Sequence, residues 1–113
     1  MRTALLIALL ACASQFAHAG GHAAAGAKKA TVCAACHGAD FNTPISPDIP
    51  RLAGQHEDYL ARALLDYKSG ARKSPIMGAQ AGALSEQDIE DLAAYISNLK
   101  GSLKVIPEHR LAQ

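Results

Sequence analysis

The chain of 113 residues has no tryptophan, two phenylalanines and three tyrosines. A chain this short buries a smaller share of its surface than a larger domain does, and without large aromatics its core is marginal. Cysteine is scarce too: Cys12, Cys33 and Cys36 are all there is, and none follows position 36. A zinc site that needs a second pair of cysteines is therefore excluded. Charge of one sign is also missing. Eleven Lys plus Arg face ten Asp plus Glu, which is not the basic footprint that nucleic acid requires. No apolar run is a comfortable membrane span; Ala4–Ala13 is a short apolar stretch near the amino terminus.

That run belongs to a leader. Arg2 supplies a positive start, Ala4–Ala13 the apolar centre, and Ala17-His18-Ala19 a small-x-small site before Gly20. This is the pattern of a secretory signal peptide over 1–19, cut after Ala19. Leu9-Leu10-Ala11-Cys12 loosely resembles a lipoprotein box that would place a lipid on Cys12, but its middle leucine fits poorly and the Ala-His-Ala site fits well. Removing the leader takes away Arg2, Cys12 and Met1. The remaining part, 20–113, has balanced charge, two cysteines and one methionine, Met77. It reads as one small domain with a core over 26–100 and a tail over 101–113.

Those two cysteines form Cys33-Ala34-Ala35-Cys36-His37, followed by Gly38. C-x-x-C-H is the attachment pattern of c-type haem. Two thiols at this spacing add across the two vinyl groups on one porphyrin edge, and the adjacent histidine supplies an imidazole to the iron from one face. The alanines between let the macrocycle lie close to the backbone. A redox disulfide would sit in a βαβ context, and none follows. A plain disulfide staple leaves the histidine without a reason. A covalent haem also resolves the shortage of core, because it serves as the core itself.

Read in order, Gly20–Ala25 is small and flexible. Gly26–Ala35 is rich in alanine and lysine and predicts a helix that delivers Cys33 and Cys36. Gly26 inside it costs roughly 1 kcal/mol against alanine, so it either starts the helix or permits close backbone packing. Residues 38–55 carry Pro44, Pro47 and Pro50, which no helix survives; the loop wraps the His37 side. A histidine ligand donates its other ring N–H to an acceptor. The Pro50 carbonyl is the candidate, with Leu52 packing on the ring. His56–Ser69 predicts a helix with Leu60, Ala63, Leu64 and Tyr67 on one face and Gly70 as its stop. Tyr59 and Tyr67 read as core aromatics, and a buried hydroxyl there needs a partner such as a haem propionate. Ala71–Leu84, with two glycines and a proline, reads as a loop around Met77. Ser85–Leu99 is the clearest helix: Ser85 is the N-cap, Glu86 and Asp88 sit in the first turn, and Ile89, Leu92, Ala93, Ile96 and Leu99 form its apolar stripe. Gly101 is its stop.

The motif with its flanks resembles class I cytochromes c, and is most similar to the small bacterial periplasmic cytochromes of the c4, c5 and c-553 kinds. The matching pieces are Cys33 to Gly38, Pro50-Arg51-Leu52-Ala53-Gly54-Gln55, Tyr67 to Arg72, Met77, and Leu92-Ala93-Ala94-Tyr95-Ile96. The resemblance implies an all-α fold of three principal helices and long loops around one covalent haem c. It implies His37 and Met77 as the iron ligands, Pro50 as the group that orients His37, and a crossing of the first and last helices at Gly26 and Tyr95. It places Arg72 and Lys73 near the propionates. His22, His56 and His109 are the other candidates for the second ligand; their positions before the first helix, at the start of a helix beside Pro50 and in the tail suit it less well. One departure is Phe41, where relatives often have glycine; it leaves the local turn open. Dihaem relatives carry a second C-x-x-C-H, and this chain has one.

The function implied is one-electron transfer in the periplasm, with both axial positions filled and no enzymatic site. Partners would be redox proteins docking briefly at the haem edge, without nucleic acid, membrane insertion or oligomerisation. The competing readings are a haem protein with an open distal site, as in a sensor or enzyme, and a haem subunit of an oxidoreductase anchored through Cys12.

Overall fold

The structure is a computed structural model that describes residues 20–104. The leader with Cys12, and the part of the tail that holds His109, lie outside the described residues. Within them the architecture is all-α, with five helices: α1 Ala23–Lys29, α2 Thr31–His37, α3 Glu57–Ser69, α4 Pro75–Gly82 and α5 Glu86–Ser97. The expected three principal helices are α1 together with α2, α3 and α5, and α4 is a further, short helix.

The framework is the crossing of α1 on α5. A Cβ built at Gly26 would overlap the Asp91 carbonyl and crowd Tyr95, so the glycine is there for contact between backbones. The helix begins at Ala23, ahead of Gly26. The expected single helix over Gly26–Ala35 is two segments meeting at Ala30, although its hydrogen bonds run on through the joint, from Ala30 N to Gly26 O and from Ala34 N to Ala30 O. Electrostatics reinforce the crossing. The Asp91 carboxylate is buried and accepts from His22 N at 2.8 Å, Lys29 Nζ at 2.6 Å and Gln87 Nε2 at 2.8 Å. The His22 amide first, then Lys29 and Gln87, hold Asp91 well below the usual carboxylate range. Lys29 also reaches Asp88 at 2.8 Å.

The last helix begins as its sequence predicts. Ser85 Oγ accepts from Asp88 N at 3.0 Å while Asp88 Oδ2 accepts from Ser85 N at 2.9 Å, a reciprocal capping box. It buries Ile89, Leu92, Ala93 and Ile96. Ile89 and Leu92 are fully enclosed, worth about 1.5–3 kcal/mol each by transfer from water. The helix ends at Ser97 rather than Leu99, where the Asn98 side chain takes the Ala94 carbonyl at 2.7 Å. Gly101 is not its stop: a Cβ there would overlap the Ala53 backbone, so Gly101 lays the start of the tail against the loop before α3. Ser102 N, donating to Asn42 Oδ1 at 2.8 Å, ties it further.

The third helix also follows its sequence, from an N-cap at His56 to Gly70 in the left-handed conformation with φ 80°. The larger difference is α4. Ala71–Leu84 was expected to be loop, yet Pro75–Gly82 is helical. Ser74 caps it, its Oγ accepting from Met77 N at 3.2 Å, and Pro75 takes the first turn, where its missing N–H is no loss.

Candidate haem site

A cavity of about 290 Å³ lies between the loop 38–55 and the helices α2 to α5. It gathers most of the residues singled out from sequence. Cys33, Cys36 and His37 enter from α2, Pro50 and Leu52 from the loop, Tyr67 and Arg72 from α3 and its exit, and Met77 from α4. The expected apolar face of α3 (Leu60, Ala63, Leu64 and Tyr67) lines it too, as do Leu92, Ala93 and Ile96 of α5. The two faces that periodicity identified thus belong to one wall.

His37 is the last residue of α2 and is buried. Its Nδ1 is 2.9 Å from the Pro50 carbonyl. A carbonyl only accepts, so Nδ1 carries a proton, and Nε2 is the ring nitrogen left to ligate a metal. Cys33 is half-buried and Cys36 exposed; before any attachment, burial pushes the Cys33 thiol up from its ordinary value. Ile45 N donates to Cys36 O at 3.1 Å, so the proline-rich loop returns to the attachment helix at the residue that must stay at the cavity's edge. Met77 is half-buried, in the first turn of α4.

The other described histidines, His22 and His56, go elsewhere. His22 caps α1, with Nδ1 3.5 Å from Asp91. His56 caps α3, beside Glu57 and Glu90. Lys73 is exposed and outside the cavity wall, so of the expected basic pair Arg72 alone reaches the site. Its guanidinium stands 4.9 Å over the Tyr67 ring and Nη1 is 3.4 Å from the Tyr59 hydroxyl. Tyr59 is 49 % exposed. It is a rim residue rather than the core aromatic expected, and the spacing 59, 63, 67 along one face was the signal for it. Phe41 was the other residue sequence reasoning undervalued; its ring stacks on His37 at 6.5 Å between centroids.

A flat, apolar group with an anionic edge fits this set of residues. The walls are aliphatic and aromatic, two cysteines stand three residues apart on one helix, an imidazole and a thioether share the cavity, and a guanidinium marks the rim. Both nitrogen and sulfur are ligands that haem iron takes.

The family model described as Cytochrome c matches residues 23–100. The chain belongs to the cytochrome c family. Among its relatives, cytochrome c4 of Pseudomonas aeruginosa is 47 % identical over 97 residues, covering 86 % of this chain and 48 % of that protein. Cytochrome c-553 of Helicobacter pylori is 46 % identical over 68 residues, covering 60 % of this chain and 71 % of that one. The crystal structure of reduced recombinant cytochrome c4 from Pseudomonas stutzeri superposes with a TM-score of 0.68 at 46 % identity, over 74 % of this chain and 48 % of that one. The fold is that of class I cytochromes c of the c4 type, and with it comes a covalently bound c-type haem. The chain spans about half the length of the cytochrome c4 proteins it matches.

Proposed function

We propose that this chain is a periplasmic one-electron carrier that holds a single haem c through Cys33 and Cys36, with His37 and Met77 as its axial ligands. The observation that carries this reading is the His37 Nδ1 to Pro50 contact in the cavity that also holds both thiols and Met77. The bound haem supplies a reversible ferric–ferrous couple, and a thioether paired with histidine raises its potential. The chain's own residues do the rest. Pro50 fixes the imidazole tautomer and its direction. Leu52, Leu64 and Leu92 exclude water from the cavity and so favour the state of lower charge. Arg72, braced by Tyr59 and Tyr67, is placed to offset the charge of a propionate. With both axial positions filled, no place is left for a substrate.

The reading extends to the rest of the chain. Residues 1–19 are the export signal, 20–113 the carrier domain, and its partners are redox proteins that meet the exposed edge near Cys36 in small, brief encounters. A single C-x-x-C-H fits one haem. The described residues include no helix long and apolar enough to cross a membrane.

Met77→Ala tests the ligand set. The variant should keep its haem attached, lose the far-red band of a ferric sulfur–iron bond, bind carbon monoxide when ferrous, and show a lowered potential. An unchanged spectrum and potential would remove Met77 from the reading. Intact mass of the exported protein should show an amino terminus at Gly20, one haem and no acyl chain; a lipid on Cys12 would contradict the soluble carrier.

A further inference from the structure

Among the described residues Phe41 is the one non-glycine with a positive φ, 54°. It is also 1 % exposed. A bulky aromatic disfavours the left-handed region and persists there only where its surroundings over-determine it. Three contacts do so. Its ring lies nearly parallel to the His37 imidazole, at 10° and 6.5 Å between centroids. Its edge meets Tyr95 of α5 at 88° and 6.2 Å. Its carbonyl accepts from both Leu52 N at 2.8 Å and Ala53 N at 2.9 Å.

These contacts close a circuit around one side chain. Pro50, whose carbonyl accepts a hydrogen bond from His37 Nδ1, stands two residues before Leu52, on the segment that the Phe41 carbonyl holds. The imidazole is thus fixed at Nδ1 by Pro50 and along its ring by Phe41, and both are tied by the backbone of Phe41. Through Tyr95 the circuit reaches the α1–α5 crossing at Gly26. A residue that only filled space would need neither the left-handed backbone nor a ring aligned with the imidazole.

We propose that Phe41 is a positioning residue for His37, setting the rotation of its imidazole and protecting its Nδ1–H bond to Pro50. The proposal rests on the reading of His37 as an axial ligand. Two variants of the haem-loaded protein test it. Phe41→Leu keeps apolar bulk but removes the flat ring. Phe41→Gly suits the left-handed backbone and leaves the carbonyl contacts possible while removing the side chain. In the ferric protein, the order and spread of the haem methyl resonances report imidazole rotation. In the ferrous protein, exchange of the His37 Nδ1 proton reports the bond to Pro50.

Both variants should alter the methyl pattern and speed Nδ1 exchange by about tenfold or more through local opening, while Phe41→Leu keeps a melting midpoint closer to wild type than Phe41→Gly. A wild-type methyl pattern and exchange rate in Phe41→Leu would make Phe41 a core filler and overturn the proposal. The wild-type protein gives a test that depends on no variant. Its Nδ1 proton should exchange together with the amides of Leu52 and Ala53, and separate rates would contradict a shared circuit. The absence of any iron-bound imidazole resonance in wild type would instead remove the ligand reading on which the proposal stands.

Discussion

Around His37 the chain is fastened from several directions. The imidazole is bonded to Pro50, stacked by Phe41 and carried on a helix whose hydrogen bonds run on from α1, and α1 is locked to α5 by Gly26 and by two hydrogen bonds to a buried carboxylate. Around Met77 the holding is sparse. α4 has eight residues, of which Ala81 is buried. Ser74 caps its start, and Lys68 of α3 reaches across to its far end, where Nζ donates to Gly82 O at 3.2 Å and Leu84 O at 2.5 Å. A cation among the last carbonyls of a helix satisfies acceptors that would otherwise be free. The two candidate ligands thus rest on unequal supports: one on long-range packing and a buried carboxylate paired with a half-exposed lysine, the other on a short helix held by its caps. In the proposed carrier this division would let the cavity stay formed while Met77 gives way first.

Breaking the well-held side should cost most. Gly26→Val drives a branched side chain into the Asp91 backbone, and overpacking of this kind costs about 1–3 kcal/mol or more. Thermal unfolding should show a midpoint lower by roughly 4–8 °C for each kcal/mol in a domain of this size, and with α1 displaced the environment of His37 should change with it.

A matched pair of cap removals sharpens the contrast. Ser74→Ala and Ser85→Ala each delete an N-cap hydroxyl worth about 1 kcal/mol, so their unfolding midpoints should fall by similar amounts. Only Ser74→Ala should weaken the ferric far-red band and speed binding of an external ligand such as imidazole, because only that cap holds the helix bearing Met77. Equal spectra in the two variants would erase the contrast.

The smallest effect concerns acid. Lys29 and the Ser85 cap push Asp88 down to about 2 from an ordinary 3.8, and Asp91 is depressed further in the same direction. A carboxylate whose folded value is depressed contributes stability above its unfolded value and loses it as pH falls toward the folded one. Stability should therefore be level above about pH 4 and decline toward pH 2. Asp91→Asn should flatten that decline, measured by chemical denaturation at each pH.

What could be read from the sequence follows the same division. Local signals mark α3 and α5: an apolar stripe at helical spacing, Gly70 after one, Ser85 with Asp88 before the other. The C-x-x-C-H run marks the thiols and His37, and the proline loop points to Pro50. The fourth helix escaped because it has no strong apolar period and carries Gly78 and Gly82; Ser74-Pro75, a cap followed by a proline suited to a first turn, was the cue that stood against them. Phe41 was noticed as a departure from a glycine, but its consequence depends on the chain folding back so that residue 41 bonds to 52 and 53 and stacks on 37, which spacing alone does not reveal. Tyr59 went astray for a related reason: it is aromatic, as core residues often are, while the wall it occupies is a rim.

The most direct test follows wild-type holoprotein through a denaturant titration, reading the ferric far-red band and the far-ultraviolet circular dichroism on the same samples. The account predicts a band in native buffer that disappears at lower denaturant than the helical signal, as the Met77 helix yields before the α1–α5 framework. A protein without the band, or one whose band and helices are lost in a single coincident transition, would contradict it.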